Sequence, residues 1–271
     1  DTTTDYEINT PPSQSATVEM MSFLIKREVS DKMWTPNLPF IFPSYVLDNM
    51  PNFQLGLMSA VSNVSSSFAA KVDQTIAPEK ELPLKTAAEL LKYPGTIWMF
   101  SPQNKLTPVP SANTQYKKAR KQLVAYNRSL REGGSVFYKS PGDLAYFLQR
   151  MSKDLWLSNE KLEAHIREHS SDWVDNRSDD LFYYQQGKIY GYYLLMKALS
   201  YDYKDIILAN DIYQPWTQMV KALEEAVVLS PAVVRNGEPD STLAPNHLSS
   251  IGYYSLKAAL ISQNMMCKLT L

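Results

Sequence analysis

Apolar residues recur at helical spacing along most of this 271-residue chain, and this pattern constrains its fold more than any other feature. Between residues 50 and 70 they return every three or four positions and define one face of a helix. The same spacing recurs in residues 112–131, 179–201, 215–229 and 246–268. Alternating patterns typical of strands are nearly absent, and TIWMF, residues 96–100, is the best short candidate for a strand.

Two serines indicate further helix starts between residues 140 and 169. Ser140 precedes Pro141 and Asp143, which combines an N-cap, a proline in the first turn and an acid where the helix dipole favours it. Ser158 precedes another apolar-periodic run and predicts the start of a separate helix. These patterns together predict an all-α fold, an irregular multi-helix bundle of about seven to nine helices.

A proline-rich stretch interrupts the helical pattern. Residues 34–51, WTPNLPFIFPSYVLDNMP, cannot form a regular helix because prolines recur every few positions. Their aromatic content predicts an extended strap that packs across the helices. We predict a single helical domain over residues 15–271. Residues 1–14 are rich in threonine, serine and proline and have little to bury, which predicts a flexible tether or linker.

The charge composition gives no reason to expect a polyanionic partner. The chain has 27 basic and 28 acidic residues, so its net charge favours neither nucleic acid nor an anionic membrane surface. A local basic cluster consists of Lys117, Lys118, Arg120 and Lys121. Because the spacing of these four residues wraps around a helix instead of forming one stripe, we interpret them as a solvated face.

Glycine and cysteine are scarce. With nine glycines, the chain has no obvious glycine-rich phosphate loop. Its one cysteine, Cys267, excludes an intrachain disulfide. Cys267 lies near the end of an apolar helical run, and this position predicts a small core residue.

The motif HIREH, residues 165–169, fits the H-x-x-E-H pattern of some zinc enzymes. His165 and His169 would share a helix face, but no third ligand is apparent. Their charged neighbours favour an exposed helix, and we predict neither a metal site nor a cofactor. No G-x-S-x-G motif occurs, and His247 is the one histidine outside HIREH, so a catalytic triad is not favoured either.

Three polar clusters are the remaining candidates for a site. The first is LDNMPNFQLG, residues 47–56; the second is Asp179 with Asp180, directly after Ser178; the third surrounds the start of the last helix, residues 233–250. Each has a structural explanation, because Asp, Asn and Ser cap helices and acids favour a first turn. Each could also supply the polar side chains of a binding site.

The same clusters carry a family resemblance. Residues 47–56, 179–207 and 233–259 resemble, in order and spacing, a bacterial family of uncharacterised proteins, domain of unknown function 2333. The resemblance extends from about residue 17 to the C-terminus. It implies a mainly helical domain outside the cytoplasm, facing the periplasm, held at the inner membrane by an N-terminal anchor that this chain lacks. It implies no assigned activity.

The resemblance places the family signature on ten positions of this chain. They are Asp48, Asn49, Pro51, Asn52, Asp180, Tyr183, Asn236, Gly237, Asn246 and His247. One hypothesis is that the three segments converge, so that three helix N-termini bind an anion or carbonyl group. The candidate catalytic residues are then Asp48, Asp180 and His247, and the candidate ligand-binding residues are Asn49, Asn52, Asn236 and Asn246. The alternative is that each segment caps its own helix.

Two functions therefore follow from the sequence. The first, which we favour, is a non-enzymatic, membrane-tethered scaffold or partner-binding domain of the bacterial envelope, with other envelope proteins as partners and no nucleic acid. The second is an enzyme or small-ligand-binding protein that uses the Asp/Asn/His cluster, with His247 as general acid–base. A deep pocket lined by that cluster would favour the second, and a large exposed apolar patch would favour the first.

Overall fold

The computed structural model describes residues 2, 6–38, 49–72, 82–100, 107–169, 176–229 and 247–270. In these residues the regular structure is helical, which confirms the all-α prediction. A five-residue π-helical segment, Arg27–Asp31, continues the first α-helix. The α-helices of the described residues are α1 (Ala16–Lys26), α2 (Asn49–Val72), α3 (Leu82–Leu91), α4 (Ala112–Arg131), α5 (Pro141–His169), α6 (Asn176–Asp202), α7 (Lys204–Ala209), α8 (Tyr213–Val227) and α9 (His247–Leu269).

Two sequence-based predictions of local structure are wrong. Helix α5 continues through Ser158, which is buried and accepts a hydrogen bond from Lys188 Nζ at 2.7 Å instead of capping a new helix. The apolar face that follows Ser158 is therefore a continuation of the same helix. Residues 96–100 form no strand, and the Ile97 and Met99 carbonyls accept hydrogen bonds within a loop, from Ala112 N and Val109 N.

Helix α6 is the central element of the bundle. It packs against α2 along much of its length and also contacts α1, α8 and α9. Residues 185–196 are all buried, so this stretch is covered on every side. A helix that is apolar or aromatic around its circumference needs neighbours on all sides. The other helices therefore surround α6, with α5 and α8 packed on α9 and with α4 packed on α1 and α3.

Glycines allow α2 and α6 to approach at backbone distance. A Cβ atom at Gly187 would lie 2.0 Å from the Phe53 carbonyl oxygen, and one at Gly56 would lie 1.8 Å from the Tyr184 carbonyl oxygen. One turn further along α6, Gly191 faces Leu57 and Ala60. No larger residue fits at these positions without separating the helices.

Residues 34–38 of the proline-rich strap agree with the predicted packing, whereas residues 49–51, predicted as its end, form the start of α2. Trp34 is fully buried and donates from Nε1 to the Gly95 carbonyl at 2.8 Å. Asn37 is also buried and donates from Nδ2 to the Ile97 carbonyl at 2.9 Å. Residues 39–48 of the predicted strap lie outside the described residues.

The segment before α1 makes contacts that the linker prediction did not include. The Tyr6 ring lies 4.5 Å from the Phe23 ring, centroid to centroid, and Thr10 Oγ1 donates to Glu19 Oε2 at 2.6 Å. Residues 6–14 therefore lie along α1 although they are not helical. The predicted boundary between the linker and the helical domain, at residue 15, coincides with the N-cap of α1. The Ser15 hydroxyl caps this helix by accepting a hydrogen bond from Val18 N.

The structure corrects the predicted environments of Cys267 and His165. Cys267 is exposed, because it lies on the outer face of α9 near its end. His165 is buried, with Nε2 3.3 Å from Ser178 Oγ, because α5 lies against the start of α6. Among the described helices, none is both long and apolar enough to cross a membrane.

Candidate functional site

An apolar groove lies where α6 ends and α7 and α8 begin. It has a volume of about 420 Å³. Its lining residues are Lys197, Ser200, Tyr201, Lys204, Ile207, Leu208, Tyr213, Trp216, Thr217 and Val220. We refer to it as the α6–α8 groove.

The local sequence produces the groove by interrupting the helices twice. Helix α6 ends at Asp202, and the short helix α7 follows. Asp211 then adopts a left-handed backbone, with φ at 51°, before α8 starts at Tyr213. Aspartate tolerates this conformation better than most residues. The two turns fold α8 back beside the end of α6 and leave a depression between them.

The rim of the groove carries large apolar and aromatic side chains that face solvent. Tyr201, Leu208 and Tyr213 are 60%, 55% and 56% exposed. Clustered exposure of this kind marks interaction sites more often than scattered single residues do. The groove therefore has the character of a binding surface.

The floor of the groove is well packed. Trp216 is only 3% exposed, and its indole Nε1 has no acceptor among the described residues. An indole N–H without a partner is unusual in a protein interior, because the buried donor loses its hydrogen bond to water. An occupant of the groove would therefore change the environment of the Trp216 indole.

The groove is cationic at its edges. Lys197 and Lys204 line it, and none of its described lining residues is a carboxylate. Lys197 Nζ lies 3.4 Å from the Tyr193 hydroxyl. The same ammonium group also lies over the Tyr193 ring. The arrangement favours an occupant that combines apolar side chains with negative charge.

Asp202 fixes the end of α6 beside the groove. Its carboxylate is buried and accepts hydrogen bonds from Ser15 Oγ, Ala16 N, Thr17 N and Thr17 Oγ1, at 2.7 to 3.0 Å. Burial raises the pKa of the Asp202 carboxyl above its ordinary value, although these four donors act in the opposite direction. Burial also raises the pKa of the neighbouring Tyr203 phenol. Asp202 thus ties the start of α1 to the end of α6.

Two of the polar segments proposed from the sequence do meet. Asn52 Nδ2 donates to Asp180 Oδ1 at 2.5 Å, which joins the first turn of α2 to the N-terminal part of α6. Asn49 is exposed at the start of α2. His247 is the first residue of α9 and is half-buried. Asp48, Asn236 and Asn246 lie outside the described residues, so the convergence of all three segments remains a prediction.

The structure describes the HIREH motif only in part. The imidazole of His165 points to Ser178, and the described residues contain no group of three His, Cys, Asp or Glu side chains suited to a metal ion. The side chain of His169 lies outside the described ones.

A second, more polar cavity lies along α2, between α3 and α5, with a volume of about 470 Å³. Ser59, Ser62, Asn63 and Ser66 form one wall. Arg150 lines the opposite side, and its Nε is buried without an acceptor among the described residues. We refer to it as the α2 cavity; its lining of hydroxyl, amide and guanidinium groups suits a small oxyanion.

Sequence reasoning missed the α6–α8 groove. The apolar spacing that identified α6 and α8 says which face of each helix is buried, but the groove depends on the short α7 and on the turn at Asp211. The available signal was local: Leu208 and Tyr213 are large apolar residues that flank a break in the helical pattern. That signal alone does not show that they are exposed.

The fold and the groove together define an all-α helical bundle with an exposed apolar groove beside its central helix. Residues 157–267 match the model of a family described as "Uncharacterized protein conserved in bacteria (DUF2333)", which confirms the resemblance noted in the sequence over this part of the chain. The matched region contains the whole α6–α8 groove. Because the family is uncharacterised, the match assigns no activity. Comparison with curated proteins and with solved structures found no match.

Proposed function

We propose that this protein is a non-enzymatic partner-binding domain of the bacterial envelope, and that its α6–α8 groove binds an acidic, amphipathic segment of another envelope protein. The observation that carries the proposal is the exposure of Tyr201, Leu208 and Tyr213 around a groove whose charged lining residues are both lysines. Each exposed apolar side chain would gain roughly 1 to 3 kcal/mol if a partner buried it completely.

The proposed partner follows from the chemistry of the groove. Apolar side chains of the segment would cover Leu208 and the two tyrosine rings, as in other helix-in-groove complexes. Its acidic side chains would pair with Lys197 and Lys204 and set the orientation. An apolar segment with basic residues would instead place like charges together.

The proposed location has a separate basis. The resemblance to a family of anchored proteins supports attachment at the inner membrane, through an N-terminal anchor, with the helical domain in the periplasm. The match over residues 157–267 supports the family relation on which this location depends. Fractionation of cells that produce the full-length protein, with protease protection before and after outer-membrane disruption, tests it.

Site-specific photo-crosslinking in the native cells tests the groove. A photoreactive residue at Leu208 or Tyr213 should give one discrete adduct, and mass spectrometry should place the cross-link in an acidic segment of a different protein. The matched control is Leu157 on α5, which is 48% exposed but far in sequence from the groove. Lys204→Glu should abolish the adduct by charge reversal.

The outcomes separate the alternatives. An adduct between two copies of this protein would replace the proposed partner with self-association. The same adducts from Leu157 as from Leu208 would contradict a specific groove. An adduct that survives Lys204→Glu would contradict the charge complementarity.

Small-ligand binding is a second candidate, and Arg150 in the α2 cavity is the observation that favours it. A carboxylate or phosphate would satisfy the guanidinium and the serine hydroxyls together. Isothermal titration with small mono- and dicarboxylates should then give saturable binding that Arg150→Gln abolishes. The enzymatic alternative, with Asp48, Asp180 and His247 at one site, is tested by His247→Gln once a ligand is known.

A further inference from the structure

Helix α4 concentrates positive charge in a chain that is nearly neutral overall. It carries six basic side chains and no acidic one, whereas the whole chain has a net charge of −1. The basic residues are Lys117, Lys118, Arg120, Lys121, Arg128 and Arg131. The net charge of the whole chain therefore conceals the positive charge of this helix. For that reason the net charge alone gave no reason to expect a polyanionic partner.

Five of these six residues lie on one side of the helix. At about 100° per residue, Lys117, Arg120, Lys121, Arg128 and Arg131 fall within an arc of roughly 100°, along about 20 Å of the helix axis. The first four basic residues alone wrap around the helix, as the sequence suggested. Adding the last two basic residues of α4 produces a stripe, while the three lysines of the first cluster are exposed, in agreement with the predicted solvated face.

The stripe is exposed and almost free of neighbouring acids. Lys117, Lys121, Arg128 and Arg131 are all exposed. Over the described residues, one carboxylate lies within ion-pairing distance of the stripe: that of Glu132, 3.7 Å from Arg131. The remaining charges repel one another along the helix, which costs stability unless an external anion neutralises them.

A recess beside the stripe is suited to a phosphate group. It lies between α1 and α4 and has a volume of about 320 Å³. Arg120, Arg128 and Arg131 line it, and Arg120 Nε is buried without an acceptor among the described residues. Glu19 is the carboxylate of its lining, and this group already accepts a hydrogen bond from Thr10. Guanidinium groups bind phosphate through paired N–H donors.

We infer that the basic stripe and its recess bind the phosphate headgroups of an anionic phospholipid bilayer. The stripe presents its charges along a single exposed helix, which can lie against a plane of headgroups. Val124 sits at its centre and is 38% exposed, so it supplies an apolar contact with the interface. No aromatic ring lies on the stripe to stack on nucleic-acid bases.

Vesicle co-sedimentation of the complete chain tests this inference. The protein should sediment with phosphatidylcholine vesicles that contain phosphatidylglycerol and should stay in solution with phosphatidylcholine alone. Binding should weaken as salt rises, because the stripe is exposed to screening. Since each basic residue near an anionic surface contributes roughly 1 kcal/mol, Lys121→Gln and Arg128→Gln should each lower the partition coefficient about five-fold.

Matched controls come from α5. Lys153 and Arg167 are also exposed, and Lys153→Gln and Arg167→Gln should leave vesicle binding unchanged. Circular dichroism of each variant checks that the helical content is preserved. Equal losses in the α5 variants would show that only total charge matters and would overturn the inference.

Two further measurements distinguish other polyanions. Inorganic phosphate at matched ionic strength should displace only part of the bound protein, because it competes for the recess but not for the rest of the stripe. Full displacement by phosphate would make the recess a free-phosphate site and would overturn the bilayer. A DNA duplex at equal phosphate concentration should bind more weakly than the vesicles. Tighter binding to the duplex, lost in the Arg128 variant, would assign the stripe to nucleic acid instead.

Discussion

The middle of α6 and its C-terminal end have opposite surroundings, although they belong to one helix. In the middle, Gly187 and Gly191 bring α2 to backbone distance, and every residue from 185 to 196 is buried. At the end, Tyr201 is largely exposed and faces a groove shared with α7 and α8. The middle of α6 is packed so closely that no ligand could enter, while its C-terminal end leaves apolar surface accessible to solvent.

This difference indicates which part of α6 supports structure and which part supports binding. A close glycine contact cannot admit a ligand, and its residues serve packing. The exposed end gains little stability from Tyr201 or Tyr213, because neither is buried. Substitutions in the middle should therefore change the free energy of unfolding, and substitutions at the end should change partner binding.

Within the closed middle of α6, the largest effect is expected at Gly187. In Gly187→Ala the new methyl group would meet the Phe53 carbonyl oxygen and force α2 and α6 apart, at a cost of about 3 kcal/mol in unfolding free energy. Urea denaturation followed by circular dichroism measures it. Gly142→Ala is the control, because its Cβ would meet only Ser140 Oγ at 3.8 Å, and it should be neutral or slightly stabilising. Equal stability of both variants would contradict the close contact.

A smaller loss is expected at Asp202, between the closed middle and the open end. Asp202→Asn replaces one acceptor oxygen with an NH₂ group, which leaves a donor of Ser15, Ala16 or Thr17 unpaired. The expected cost is about 2 kcal/mol in unfolding free energy. Asp205→Asn on α7 is the control, since Asp205 is exposed and should change stability little.

Asp202 should also give a defined pH dependence. Burial raises the pKa of its carboxyl in the folded protein above the ordinary value of 3.8, so the folded state binds the proton more tightly than the unfolded chain. Its contribution to stability is therefore fully present below pH 3.8 and is lost as pH rises through the raised folded pKa. The stability difference between wild type and Asp202→Asn should shrink over that window. A difference that grows with pH would show that the four donors outweigh burial.

The sequence predicted the positions of α2, α4, α6, α8 and α9 but gave no range for α1, α3 or α7, and it predicted the surroundings of the helices less well. Helix α4 was predicted at residues 112–131, where it lies, because its apolar spacing is regular; the structure adds that Ser111 caps it. The continuous α5 was not predicted, because serine before an apolar run has the same pattern whether it caps a helix or lies inside one. Only the contact with Lys188 distinguishes the two cases, and it comes from α6.

The candidate site was also predictable only in part, because it too depends on contacts between helices that are distant in sequence. The Asn52–Asp180 bond joins two segments that the sequence had already singled out. The α6–α8 groove depends on the angle at which α8 turns back at Asp211, which apolar spacing does not specify. The basic stripe of α4 was visible in the sequence but required residues 128 and 131 to be counted with the first cluster.

A still smaller effect on stability is expected at the open end. Tyr213→Ser should change the free energy of unfolding by about 0.5 kcal/mol or less, because Tyr213 is mostly exposed. Met219→Ala, on the buried face of the same helix, should cost about 2 to 5 kcal/mol. Thermal unfolding of the two variants measures the contrast. A large loss in Tyr213→Ser would mean that the rim of the groove is part of the core and not a binding surface.

The smallest effect concerns the N-terminal part of α6, where Asn52 bonds to Asp180. A double-mutant cycle with Asn52→Ala, Asp180→Ala and both together should give a coupling energy of about 0.5 kcal/mol, because the pair is exposed and each group can bond to water instead. Chemical denaturation of the four proteins measures it. A coupling energy near this value would mean that the pair stabilises the contact between α2 and α6 only slightly, as other surface contacts do. A coupling of several kcal/mol would require a shielded polar junction at this end, as expected if the third segment with His247 packed over it.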